Sequence, residues 1–181
     1  MFPRRRLFTP LPNNRQQSEL PLLFLDVDGV ISLFGFDTNA TIPGRFYSID
    51  GILHCISSAC VPLLGTLRER FELVWATGWE EKANEYLPHL LELPVLPTLR
   101  FDGRAEFGTA HWKLQAIDDY AGERPAAWID DSLDETCERW AAERGAPTLL
   151  VRTESGVGLA HEHVEALLRF ADLVAGEDVE S

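Results

Sequence analysis

The chain has 181 residues, 45% hydrophobic and 25% charged, enough for one domain of ordinary size with a real interior. Its net charge of −13 at pH 7 repels polyanions at long range and argues against a broad nucleic-acid-binding surface. No apolar run approaches the roughly 20 residues that span a bilayer, so no membrane partner is expected. Cys55, Cys60 and Cys137 are odd in number and lack C-x-x-C spacing, which reads as reduced thiols of a cytoplasmic protein rather than a disulfide frame or a zinc site.

Residues 1–20 hold Arg4, Arg5, Arg6 and Arg15 against Glu19, with Pro3, Pro10 and Pro12 among them. No apolar stretch follows the basic residues to make a secretory signal, and the prolines spoil an amphipathic transit helix. A disordered basic tail is expected there, then a single domain over 21–175 and a short flexible acidic tail over 176–181. From Pro21 onward, short continuous apolar runs recur at 22–25 (followed by Asp26-Val27), 72–76, 93–96, 126–129 and 147–151, the pattern of strands buried on both faces. Between and after them, 57–70, 79–91, 109–120, 133–144 and 162–174 carry apolar residues at helical spacing. Alternating strands and helices predict an α/β fold: a doubly wound, Rossmann-like parallel sheet of five strands with helices on both faces. The segment 29–56, with its glycines and aromatics, breaks the rhythm and predicts a β-hairpin flap after the first strand. His161 and His163 lie two apart on a helix, point to different faces, and read as solvated surface residues.

In such a fold every strand ends at one edge of the sheet, where ligands bind. Asp26 and Asp28 follow the first apolar run. At a spacing of two in extended chain their side chains leave on the same side. Two carboxylates so placed are costly unless a cation binds them, although paired Asp before Gly29 is also a common turn. The second strand ends in Thr77-Gly78, which either caps the next helix or offers a hydroxyl and free N–H groups to a phosphate. The fourth ends in Asp130-Asp131, again a helix cap or a ligand pair. Lys113, in the preceding helix, reads on its own as a solvated face residue.

Together, in this order and on these elements, the pieces resemble the haloacid dehalogenase superfamily. The narrower resemblance is to its small capless members, including the phosphatase domains associated with RNA repair proteins. It rests on FLDVDGV at 24–30, WATGW at 75–79 and WIDD at 128–131. It implies a magnesium-dependent phosphomonoester hydrolase. Asp26 is then the nucleophile that becomes an aspartyl-phosphate, and Asp28 the acid and base that protonates the leaving oxygen and activates water. Mg2+ is expected on the Asp26 carboxylate, the Asp28 backbone carbonyl, and Asp130 or Asp131. Thr77 with Gly78, and Lys113, are expected to hold the transferring phosphoryl oxygens. The substrate class is a phosphorylated small molecule or a nucleic-acid end. Only about forty-five residues separate the first two motifs, too few for a folded helical cap as well as a helix. Arg45, between Gly44 and Phe46 in the flap, is expected to grip a substrate phosphate or carboxylate, with Phe34 packing the hairpin. A receiver-type signalling domain shares the chemistry but places its lysine after the threonine near the chain end, which fits Lys113 before Asp130 poorly. A catalytically silent binding module would lack a key carboxylate, and none is missing.

Overall fold

The computed structural model describes residues 20–106 and 108–177. The expected basic tail, apart from Leu20, and the last four residues of the expected acidic tail lie outside these.

The first strand, β1 (Leu22–Leu25), has every residue fully buried. Two parallel neighbours cover its edges: β5 (Glu72–Trp75), in register Leu22 to Glu72, and β6 (Ala126–Asp130), in register Leu22 to Ala126. A fourth strand, β7 (Thr148–Arg152), pairs with β6, giving the order β5-β1-β6-β7. Side chains alternate across this sheet and feed two cores. Leu23, Leu25, Trp75 and Ile129 pack with Leu64, Leu87 and Leu167 of the helices α1 (Cys60–Leu67), α2 (Lys82–Leu91) and α5 (His161–Glu177). Leu22, Phe24, Val74 and Trp128 pack with Ile117 and Cys137 of α3 (Leu114–Ala121) and α4 (Glu135–Glu143). Helices on both faces explain why the strands read as unbroken apolar runs rather than alternating ones.

The sheet has four strands among the described residues, where five were expected. The run at 93–96 makes no strand. Pro94 and Pro97 have no N–H to donate to a ladder. The segment touches the sheet through a single bridge, Trp75 to Thr98. The side chain of Asn84 does the rest. Its Oδ1 accepts from Leu96 N (3.0 Å) and from Trp75 Nε1 (3.0 Å), while Nδ2 donates to Leu96 O (2.7 Å) and Thr98 Oγ1 (2.9 Å).

Residues 29–57 contain a separate antiparallel sheet with the order β2-β4-β3, from β2 (Ser32–Leu33), β3 (Gly44–Ile49) and β4 (Ile52–Ser57). β3 and β4 pair from Gly44–Ser57 to Ile49–Ile52, joined by Asp50-Gly51. Both turn residues have positive φ, 51° and 79°, the backbone a two-residue hairpin turn requires. The tip is tied down, because Asp50 pairs with Lys82 and accepts from Tyr86 Oη at 2.8 Å, both on α2. Helix ends also differ from the expected ones. α4 starts at its cap, Asp134, whose carboxylate accepts from Thr136 N (2.8 Å) and Cys137 N (3.2 Å). α5 runs on to Glu177, into the range expected as tail. His161 is exposed as expected, but His163 is half-buried and accepts from Ala160 N at 3.0 Å, closing the start of its helix. No described helix is long and apolar enough to cross a membrane.

Because Asn84 satisfies both polar groups of Leu96, Asn84→Ala is expected to lower unfolding free energy by about 2–4 kcal/mol, measured by denaturant titration. A loss under about 1 kcal/mol would show that the 93–99 segment holds without it.

Candidate active site

Buried charge organises the carboxyl edge of the sheet. Lys113 closes a 3-10 helix, His111–Lys113, that runs directly into α3 at Leu114, near the start of the helical stretch expected there. Its ammonium is nearly inaccessible and sits between two carboxylates, 2.9 Å from Asp26 Oδ1 and 2.6 Å from Asp130 Oδ2. Asp26 follows β1 and its backbone N–H is held by Ile129 O at 3.1 Å; Asp130 ends β6. Oxygens of Asp26, Asp130 and Asp131 lie within 4.8 Å of one another. Three carboxyl groups outnumber the one ammonium, an excess of acid that a divalent cation with hard oxygen ligands would neutralise. The donor set therefore fits magnesium. Burial raises the pKa of Asp26 from 3.8 to about 7, a rise that Lys113 opposes without cancelling. For Lys113 itself, burial alone would lower the pKa, and the two carboxylates more than reverse it.

The neighbouring residues hold this cluster in place. Asp131 is half-buried and receives two hydroxyls, Ser132 Oγ on Oδ1 (2.9 Å) and Ser155 Oγ on Oδ2 (2.7 Å). Asp130 Oδ1 accepts from Ser132 N at 2.9 Å. Gly29 has φ of 72°, and a Cβ there would stand 2.1 Å from Asp131 Oδ2, so the glycine after Asp28 is needed for both backbone and space. Its carbonyl accepts from Thr153 Oγ1 at 2.9 Å, stitching the first strand end to the last.

Asp28 opens toward the cleft, and Trp79 Nε1 donates to its Oδ2 at 2.9 Å. The walls around Asp28 raise its pKa, opposed chiefly by that indole. Thr77 is fully buried, and its Oγ1 accepts from Trp79 N at 3.3 Å, so it shapes the turn while Gly78 lies on the cleft wall. Glu80, next in this turn, has φ of 46°, and its carboxylate accepts from Phe101 N at 2.8 Å.

Asp26, Asp28, Gly78, Lys113, Asp130, Asp131, Ser132 and Ser155 line a cleft of ≈ 810 Å³, whose walls also include Phe34, Leu53, His54, Trp112, Asp134 and Arg152. Asp134 also contacts His111 Nδ1 at 2.9 Å. Burial raises its pKa, but His111 and the two capping N–H groups prevail and hold it at about 2. Arg45, expected at the mouth, lies exposed on β3 and is not among the lining residues. The arginine among the lining residues is Arg152, at the end of β7 beside Asp130, with its guanidinium 3.9 Å from Glu138. Phe34, expected to pack the hairpin, is 45% exposed on that wall. Sequence reasoning missed Arg152, Ser155, Thr153, His54 and Trp79. The first three follow the run at 147–151, so the strand-end rule that found Asp26, Thr77 and Asp130 would have found them too. His54 lies inside an irregular segment and left no signal.

Residues 22–164 match the family described as the HAD domain in Swiss Army Knife RNA repair proteins. The chain belongs to that family. Among solved structures, a crystal structure of a hypothetical protein from Xanthomonas campestris is similar to this HAD domain at 16% identity and a TM-score of 0.48, covering 88% of this chain and 87% of the other. No curated protein sequence matches it.

With a folded-state pKa about 7 against 3.8, the Asp26 carboxyl binds its proton more tightly in the native state than when unfolded. Its contribution to stability is full below about pH 4 and lost as pH rises toward 7. In chelator, the melting temperature is expected to fall between pH 5 and 8, and Asp26→Asn to reduce that fall by at least about 2 °C. Thermal scans across this range check it. Parallel curves for the two proteins would mean that Asp26 is ionised throughout.

Proposed function

We propose that this HAD domain is a magnesium-dependent phosphomonoester hydrolase that works through an aspartyl-phosphate on Asp26. The observation that carries the reading is the cluster of Asp26, Asp130 and Asp131, two of them on one buried ammonium, in the wall of a cleft. Asp26, Asp130 and Asp131, with the Asp28 backbone carbonyl, would hold the cation. Magnesium, when bound, supplies the positive charge that lets an anionic phosphoryl group approach an anionic nucleophile.

The chain's own residues do the remainder. Asp26 attacks phosphorus, and Asp28 gives a proton to the departing oxygen. Asp28 then takes a proton from water as that water attacks the acyl phosphate and frees Asp26. Lys113 fixes Asp26 and offers its ammonium to the equatorial phosphoryl oxygens. Gly78, with its backbone turned by Thr77, lines the other side of that pocket. No folded helical cap stands over the cleft among the described residues, so the reading accommodates a phosphorylated metabolite or a polynucleotide end. The family's description places its relatives in RNA repair proteins, which favours the second. Three buried free cysteines fit a reducing, cytoplasmic setting.

Steady-state hydrolysis of p-nitrophenyl phosphate with magnesium tests the reading. Asp26→Asn is expected to reduce kcat on the order of 10³-fold or more. Asp131→Ala is expected to raise the magnesium concentration for half-maximal rate by about tenfold or more. Substantial turnover by Asp26→Asn would overturn the nucleophile. An unmoved magnesium dependence in Asp131→Ala would leave Asp131 as a helix-turn residue only.

A further inference from the structure

A chain of contacts runs from the small antiparallel sheet to Asp28. Ser32 Oγ on β2 is hydrogen-bonded to His54 Nδ1 on β4 at 2.9 Å. The His54 ring meets the Trp79 indole edge-on, with centroids 4.7 Å apart and planes at 65°. That indole donates from Nε1 to Asp28 Oδ2 at 2.9 Å. Ser32 is itself bridged to Asp28 through the backbone. The small sheet therefore buttresses an indole, and the indole holds one oxygen of one carboxyl group.

An indole N–H donates and cannot accept. Whichever protonation state Asp28 is in, the oxygen facing Trp79 must present a lone pair. We propose that Trp79 is a positioning residue for phosphoryl transfer: by donating to Oδ2 it favours the carbonyl form of that oxygen, the stronger acceptor, and so biases the transferable proton of Asp28 toward Oδ1, while His54 holds the indole in that pose. The inference rests on the phosphatase reading and specifies how its acid is aimed. In the first step the bond from phosphorus to the leaving oxygen breaks with its electron pair on that oxygen, which takes the proton from Oδ1 while Asp26 Oδ bonds to phosphorus. In the second, Oδ1 takes a proton from water as the water oxygen bonds to phosphorus and the Asp26–phosphorus bond breaks. Both transfers use the same oxygen, so one fixed carboxyl orientation serves the whole cycle.

The alternative is that Trp79 only fills space over α2 and the core it packs against. A leaving-group comparison separates the two roles. With p-nitrophenyl phosphate the departing phenolate needs little help from an acid; with glycerol 2-phosphate the departing alkoxide needs a proton. The value of kcat/KM reports events up to formation of the aspartyl-phosphate, so it isolates the acid step. In Trp79→Phe, which keeps a ring and loses the N–H, kcat/KM for glycerol 2-phosphate is expected to fall about 10–100-fold. The value for p-nitrophenyl phosphate is expected to fall less than about threefold. In an Asp28→Asn background the same substitution is expected to add nothing, since the acid is gone. Equal losses on both substrates, no loss on either, or an additive effect with Asp28→Asn would each overturn the proposal. Should Trp79→Phe fail to fold, His54→Gln carries the test: selective loss on the alkyl phosphate supports the proposal, and equal or absent loss overturns it. Failure of the underlying reading would look different, as wild-type hydrolysis of neither ester or hydrolysis unaffected by Asp26→Asn.

Discussion

Burying an ammonium is costly unless carboxylates meet it, and Lys113 meets two at 2.9 and 2.6 Å. A third, Asp131, stands in the same cluster, so the site carries more acid than its single base can neutralise. Two consequences follow. The Asp26 carboxyl, without a second cation, is pushed up to about 7 by burial, which favours the protonated form of a group proposed to attack as an anion. A divalent ion on the same oxygens would remove that penalty and restore the nucleophile. Metal demand and nucleophile strength are in this view one electrostatic fact, set by three carboxylates and one lysine.

The fold makes this crowding possible because the residues arrive on separate rigid elements. Asp26 leaves β1, Asp130 ends β6, and Lys113 enters from a tight turn that packs beside the second core. Because β1 is central and parallel to both neighbours, its carboxyl end lies where chains from either side converge, the usual place for a ligand in such sheets. The helices on both faces exclude water beneath the site. The hydroxyls of Ser132, Ser155 and Thr153 then satisfy oxygens that the charges leave over. Asp28 differs in kind from this dry cluster, being open to the cleft and held by an indole rather than by a charge. The contrast suits a division of labour in which one carboxylate bonds to phosphorus and its neighbour moves protons.

Much of this was legible in the sequence because it depends on periodicity and strand ends. Continuous apolar runs mark β1, β5, β6 and β7 wherever both faces are covered. The acidic or hydroxyl residue after such a run marks the edge where the candidate site lies. The run at 93–96 misled because hydrophobicity measures burial and not pairing: Leu93 and Leu96 are buried, yet prolines and Asn84 take over the backbone. Arg45 misled for a related reason. Flanking glycine and phenylalanine say that a loop or hairpin is near, but not which face of a strand points to the cleft. Trp79 stood in the WATGW run at the second strand end, but its contact with His54, which comes from the separate small sheet, has no spacing in the chain that could announce it.

The central claim is that Asp26 carries the phosphoryl group. It is tested most directly by rapid quenching of the protein during turnover of a substrate labelled with radioactive phosphorus, followed by peptide mapping. A label that is stable in acid, released by hydroxylamine and confined to the peptide containing Asp26 is the expected result. Turnover with no labelled protein at any quench time, or label on another residue, would contradict it.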